Sequence, residues 1–174
     1  MEFTKENIDQ ARANGEVVVF KGLFDNTPEW QSFIDHIQYA TFQPDEGVRE
    51  VHQTYGYAHW WYQLTATIDH SHRTIPQAQT NMEVIQKVNP NISTSFSIVS
   101  FTTREPSTNL HNDPTDVFYW QCIGTVNWMI GGDRANRVAY ELNPGDVIYV
   151  PKGTWHEILA KTPRAAISYC QTNY

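Results

Sequence analysis

The sequence predicts a mainly β protein, a sandwich or barrel of short strands with N-terminal helices packed on one sheet. Two observations carry this. From residue 92 onward, short segments rich in β-branched and aromatic residues alternate with turn residues at regular spacing. Before residue 92 the chain is mixed, and one segment there has a clear helical stripe. With 174 residues, 40% of them hydrophobic and 13% aromatic, the chain can bury a sizeable core. One domain is expected over 1–174: a mixed α/β part at 1–92 and a β core at 93–171. No internal repeat, low-complexity stretch or domain-separating linker is visible.

In order, residues 4–13 form a short helix patterned by Ile8 and Ala11, and Glu16–Phe20 is a buried strand between Gly15 and Gly22. Thr27-Pro28 opens the next helix, with Thr27 as N-cap and Pro28 at the first helical position. Trp30, Phe33, Ile34 and Ile37 form its apolar stripe. Residues 43–58 have no periodicity and read as a loop, a strand runs through Trp60–Thr67, and a helix over Asn81–Val88 ends before Pro90. Thr94–Thr103 is a strand with Phe96 and Ile98 on one face and Val99 and Phe101 on the other. A polar break with Pro106 precedes His111-Asn-Asp113. Asp116–Ile123 and Thr125–Ile130 are strands with a kink at Gly124. Strands at Arg137–Leu142, Asp146–Val150, Thr154–Ala160 and Arg164–Gln171 follow the turns at Gly131-Gly132-Asp133, Pro144-Gly145, Pro151-Lys152-Gly153 and Thr162-Pro163.

A net charge of −7 and the absence of Lys/Arg clusters argue against nucleic acid and against an anionic membrane surface as partners. No apolar run is long enough to span a bilayer, and the first residues carry no leader pattern, so cytoplasmic residence is the expectation. Cys122 and Cys170 lie in apolar strands and read as buried free thiols.

The chemistry concentrates in two motifs. Gly145, Pro151, Gly153 and His156 fall at glycine, plus six, plus eight and plus eleven, the spacing of a strand, a tight turn and a histidine on the next strand. His111 and Asp113, at i and i+2, are expected on one face of a strand. Together His111, Asp113 and His156 make two imidazoles and a carboxylate, the facial set that holds non-haem Fe(II) and leaves positions open. Val117, Tyr119 and Gln121 share a face that should line the cavity, with Tyr119 or Gln121 available to fix the imidazole tautomers.

On these residues the chain resembles the JmjC-like cupins, Fe(II)- and 2-oxoglutarate-dependent oxygenases with a double-stranded β-helix. The resemblance covers residues 94–171. Gly145-x5-Pro151-x-Gly153-x2-His156 is similar to the second cupin motif, and His111-x-Asp113 with Gly124 to the oxygenase form of the first. The run Asp113 to Trp128 resembles the family's metal strand and its small-residue kink; Val17-Val-Val-Phe-Lys-Gly22 resembles its entry strand. The resemblance implies that His111, Asp113 and His156 are catalytic and bind Fe(II), and that 2-oxoglutarate is cosubstrate and O2 the oxidant. It also implies hydroxylation of a protein or peptide side chain. At 174 residues a small molecule stays open as the alternative substrate, and a homodimer is a separate open expectation. Thr108 matches a position where the family has a hydroxyl contacting the cosubstrate.

One departure stands out. The family's Lys or Arg after the kink, which holds the distal carboxylate, falls at Val126 or Asn127 here. Arg164, at the start of the last strand, is the first replacement, sharing a face with Ala166, Ser168 and Cys170; Arg104 is the second. Arg164 reads equally as a surface charge after Pro163. Tyr119, Thr108 and Arg164 are thus the candidate cofactor-binding residues. The missing cation motivates a second reading, a metal-dependent cupin that does not use 2-oxoglutarate, such as a direct dioxygenase or isomerase. A third is a non-catalytic ligand-binding cupin, against which an intact metal triad argues. His70-x-His72 lies in a polar segment without an evident third ligand and reads as solvated surface. His52, His59 and the aromatics Tyr55, Tyr57, Trp60, Trp61 and Tyr62 could shape a substrate pocket, although Trp60 and Tyr62 also fit a core role.

Overall fold

The computed structural model describes residues 1–42, 64–103 and 106–171. Helix α1 (Lys5–Asn14) is capped by the Thr4 hydroxyl, which accepts from Asn7 N–H, and ends at Gly15 in the left-handed region. Strand β1 (Val18–Phe20) follows, then α2 (Trp30–Phe42), β2 (Thr65–Asp69), α3 (Ser71–Thr74) and α4 (Pro76–Val88). Eight further strands complete the described chain: β3 (Thr94–Ser100), β4 (Pro106–His111), β5 (Val117–Ile123), β6 (Val126–Ile130), β7 (Val138–Leu142), β8 (Val147–Val150), β9 (His156–Ala160) and β10 (Arg164–Cys170).

The strands form two antiparallel sheets, one ordered β1-β8-β5-β10-β3-β2 and the other β4-β9-β6-β7. This is the double-stranded β-helix that the resemblance implies. Period-two alternation in β5 shows how the layers divide. Phe118, Trp120 and Cys122 face outward into the core beneath the helices, whereas Val117 and Tyr119 face the second core between the sheets. A fully buried Phe or Trp side chain contributes roughly 1.5–3 kcal/mol or more through area removed from water. In β3, Val99 goes to the helix side and Phe96 and Ile98 to the inter-sheet side, as the alternation predicts.

The Gly124 kink joins the two sheets. Its φ of +76° suits glycine. A Cβ there would overlap the Pro163 carbonyl oxygen and lie 2.5 Å from Thr162 Oγ1. Gly124→Ala is therefore expected to destabilise the protein by about 3 kcal/mol or more in urea unfolding; a change below about 1 kcal/mol would show that the turn yields freely. The turn before β8 is held by Asp146, whose carboxylate accepts from Gly22 N–H at 2.9 Å and Asn143 N–H at 2.8 Å.

Several expectations are corrected. Helix α2 starts at Trp30, not at Thr27-Pro28, and Ile34 is 44% exposed. Its buried side runs through Phe33 and His36, and His36 is accommodated because its Nδ1 meets Thr74 Oγ1 at 2.5 Å. Burial lowers the His36 pKa, which keeps the ring neutral. Helix α4 begins at Pro76 rather than Asn81, with proline tolerated in the first turn. The polar break at Pro106 is strand β4, an edge strand, where a proline and polar residues are allowed. Of the strand expected over Trp60–Thr67, residues 60–63 lie outside the described residues, and β2 is shifted to Thr65–Asp69. Cys122 and Cys170 are free, Cys122 buried and Cys170 half-buried. No helix among the described residues is long and apolar enough to cross a membrane.

Candidate metal centre

His111 is the last residue of β4 and His156 the first of β9, and the two are directly paired in the register. The strand ends thus bring the rings together with centroids 4.3 Å apart. Asp113 lies two residues past the end of β4, not on the strand, so the shared-face expectation is corrected. The carboxylate reaches the pair from the loop that connects β4 to β5. Asp113 Oδ1 is 4.0 Å from His111 Nε2, and Oδ2 is 3.4 Å from His156 Nε2.

Each imidazole is oriented by the carbonyl two residues before it. His111 Nδ1 is 2.6 Å from Asn109 O, and His156 Nδ1 is 2.9 Å from Thr154 O. A carbonyl only accepts, so Nδ1 carries the proton in each ring and Nε2 presents its lone pair. The expectation that Tyr119 or Gln121 would fix the tautomers is overturned. Tyr119 Oη donates to Gln121 Oε1 at 3.0 Å, while Gln121 Nε2 donates to the carbonyls of Ile123 and Gly124 at 2.6 and 3.0 Å. Gln121 braces the kink instead.

Burial, then the neighbouring His111, push the His156 pKa down; the Thr154 carbonyl and Asp113 oppose this. A neutral imidazole is the form that binds a metal. The three ligand atoms lie within 4.8 Å of one another, and this is the converging His/Cys/Asp/Glu group found among the described residues. Ligands at adjacent positions around an ion with bonds of roughly 2.1 Å stand about 3 Å apart, so a small inward movement would complete the set. The donor chemistry fits a divalent transition metal. His156 is buried, whereas the His111 and Asp113 side chains are 43% and 33% exposed, so access is from their side.

Behind the ligands lies a residue the sequence reading missed. Trp128 of β6 stacks on His156, centroids 4.7 Å apart and planes 25° from parallel, and meets Tyr119 edge-on at 4.9 Å. Its inward direction follows from the β6 alternation with Val126, which was the available signal. Trp128 Nε1 is buried and has no hydrogen-bond partner among the described residues.

Arg164 is 0% exposed, which removes the surface-charge reading. Its Nη1 donates to Tyr119 Oη at 2.6 Å, and the guanidinium sits 5.9 Å from the Tyr119 ring centroid. Burial lowers the Arg164 pKa, opposed by the Tyr119 contact, and pushes Tyr119 up to about 12, so the pair is a cation beside a neutral phenol. Arg164 and Cys170 stand at opposite ends of β10, and Cys170 pairs with Val117, the strand end nearest Asp113. Cation and metal ligands therefore sit towards opposite ends of the inter-sheet space, with Tyr119 and Trp128 between them. Thr108 Oγ1 accepts from Ile158 N–H at 3.2 Å across a register break, so its hydroxyl oxygen serves the sheet. Val126 is buried among apolar residues.

His72 is half-buried and bonded to Ser95 Oγ at 2.9 Å; His70 is also half-buried, so the solvated-surface reading of this pair is corrected. Arg104, His52, His59 and the aromatics between residues 55 and 62 lie outside the described residues. A cavity of about 340 Å³ lies on the helix side of the ligand loop, lined in part by Arg12, Asn89, Asp116 and Lys152.

The family model described as JmjC domain matches residues 67–173. No curated protein matches the chain. Among solved structures, the X-ray structure of Escherichia coli ycfD is similar with TM-score 0.70 and 17% identity, covering 100% of this chain and 54% of that one. The E. coli ribosomal oxygenase YcfD in complex with cobalt and 2-oxoglutarate gives TM-score 0.68 and 20% identity, covering 91% and 49%. The non-heme alpha-ketoglutarate-dependent epimerase SnoN from nogalamycin biosynthesis gives TM-score 0.60 and 12% identity, covering 95% and 81%. At these identities the likeness is one of fold. The chain spans about half the length of the E. coli structures it matches.

Proposed function

The chain belongs to the JmjC domain family, and from that premise we propose that it is an Fe(II)- and 2-oxoglutarate-dependent oxygenase, a hydroxylase of a protein or peptide side chain or of a small molecule. The convergence of His111 Nε2, His156 Nε2 and one Asp113 carboxylate carries this reading. Two imidazoles and a carboxylate are the facial set of non-haem iron oxygenases. When bound, ferrous iron supplies the chemistry that couples O2 to oxidative decarboxylation of the oxoacid.

The protein's own part is holding and exclusion. His111, Asp113 and His156 would hold the ion through their converging donor atoms. The backbone carbonyls of Asn109 and Thr154 keep both Nε2 atoms unprotonated and aimed at Asp113. Arg164 supplies the cation for the distal carboxylate of 2-oxoglutarate in place of the basic residue missing at Val126 and Asn127. Tyr119 orients that guanidinium. Burial of Arg164, Tyr119 and Trp128 keeps water from the inner end, where a charge-assisted bond is strongest.

The reading predicts that 2-oxoglutarate binding depends on metal. Calorimetric titration of 2-oxoglutarate into Co(II)-loaded protein should give a saturable heat, and titration into the metal-free protein should give little. Equal binding in both states would contradict chelation. Metal uptake without oxoacid binding would favour a metal-dependent cupin of another type, which the apolar Val126 position also suits.

A further inference from the structure

The loop that carries Asp113 is held at both ends by one turn. Gly153 N–H donates to the Asp113 carbonyl at 2.8 Å. The adjacent Lys152 N–H donates to Asp116 Oδ1 at 3.1 Å. Consecutive amides of the Lys152–Gly153 turn therefore grip the start and the end of the segment 113–116. The same turn leads, three residues later, into His156. Spacing between the two ligand elements is thus set where the loop meets the turn.

Asp116 divides its two oxygens between two tasks. Oδ1 serves the turn. Oδ2 faces the helices, accepting from Arg12 Nε at 2.6 Å and lying 3.5 Å from Asn89 Nδ2. Arg12 is itself steadied by Asp9 Oδ1 at 2.7 Å, and Asn89 caps α4. The Asp116 side chain is 11% exposed, so its pair with the part-buried Arg12 is partly shielded from water, while the contact with Lys152 N–H is exposed. One carboxylate in this way touches both the helices α1 and α4, through Oδ2, and the turn that leads to His156, through Oδ1.

We propose that Asp116 is a positioning residue for the metal set, its Oδ1 fixing the Lys152–Gly153 turn against the Asp113 loop. This rests on the reading that His111, Asp113 and His156 bind a metal. It separates affinity from stability: the turn contact governs metal affinity, and the Arg12 ion pair governs attachment of the helices.

The test uses the full chain, with Co(II) affinity measured by titration and stability of the metal-free protein by urea unfolding. Asp116→Ala removes both contacts and should weaken Co(II) binding about 10- to 100-fold, the usual range for outer partners of metal ligands. Asp116→Asn keeps an acceptor for Lys152 N–H but loses the ion pair, so its affinity should stay within about 3-fold of wild type on the same scale while its urea midpoint falls. Arg12→Met should behave like Asp116→Asn, and these two keep the test open even if Asp116→Ala does not fold. Loss of Co(II) affinity in Asp116→Asn or Arg12→Met in step with their stability would overturn the proposal. So would wild-type affinity in Asp116→Ala. If the wild-type chain itself took up no Co(II), the metal reading would fall first and this inference with it.

Discussion

Alanine at His111 is expected to abolish stoichiometric Co(II) or Fe(II) binding with little loss of stability. A deleted ligand should cost more than the roughly 10- to 100-fold typical of an outer partner. The side chain is 43% exposed, so its removal leaves little core unfilled. His156→Ala should lose metal to a similar degree but also destabilise the fold, by about 1–3 kcal/mol, because a buried ring stacked on Trp128 is deleted. Metal titration beside urea unfolding separates the two effects. Retained metal binding in both variants would exclude the His-Asp-His set as the site.

Arg164→Met is expected to produce the second large effect. Truncating one partner of a buried charge pair costs about 2–5 kcal/mol, so 2-oxoglutarate affinity should fall at least roughly 30-fold while Co(II) affinity stays near wild type. Tyr119→Phe should give a smaller loss of the same kind, since it removes the hydroxyl that orients the guanidinium. Unchanged oxoacid affinity in Arg164→Met would make Arg164 a structural cation.

Much of this was legible in the sequence because it rests on local rules. The Gly145 to His156 spacing specifies a strand, a turn with left-handed glycines and a histidine entering β9, and those glycines have φ of +94° and +77°. Alternation assigned the faces of β3 and β5 for the same reason. What escaped the reading depends on partners distant in the chain. The β4 strand is polar because it is an edge, so composition reads it as a break. Asp113 looks paired with His111 on a strand, yet β4 ends at His111 and the carboxylate arrives by a loop fixed from Gly153. His36 enters the core where Ile34 was expected because Thr74, from another helix, offers its hydroxyl. Arg164 after Pro163 looks like a surface charge until Tyr119, on a neighbouring strand, is seen to receive it. The imidazole tautomers depend on main-chain carbonyls, which leave no side-chain signal at all.

The most direct test of an iron centre that chelates the oxoacid is visible absorption under anaerobic conditions, with Fe(II) and then 2-oxoglutarate added to the protein. The centre described here predicts a weak metal-to-ligand charge-transfer band that appears only after 2-oxoglutarate, disappears in His111→Ala, and needs much more oxoacid to develop in Arg164→Met. Stoichiometric Fe(II) uptake with no band at saturating 2-oxoglutarate would contradict it.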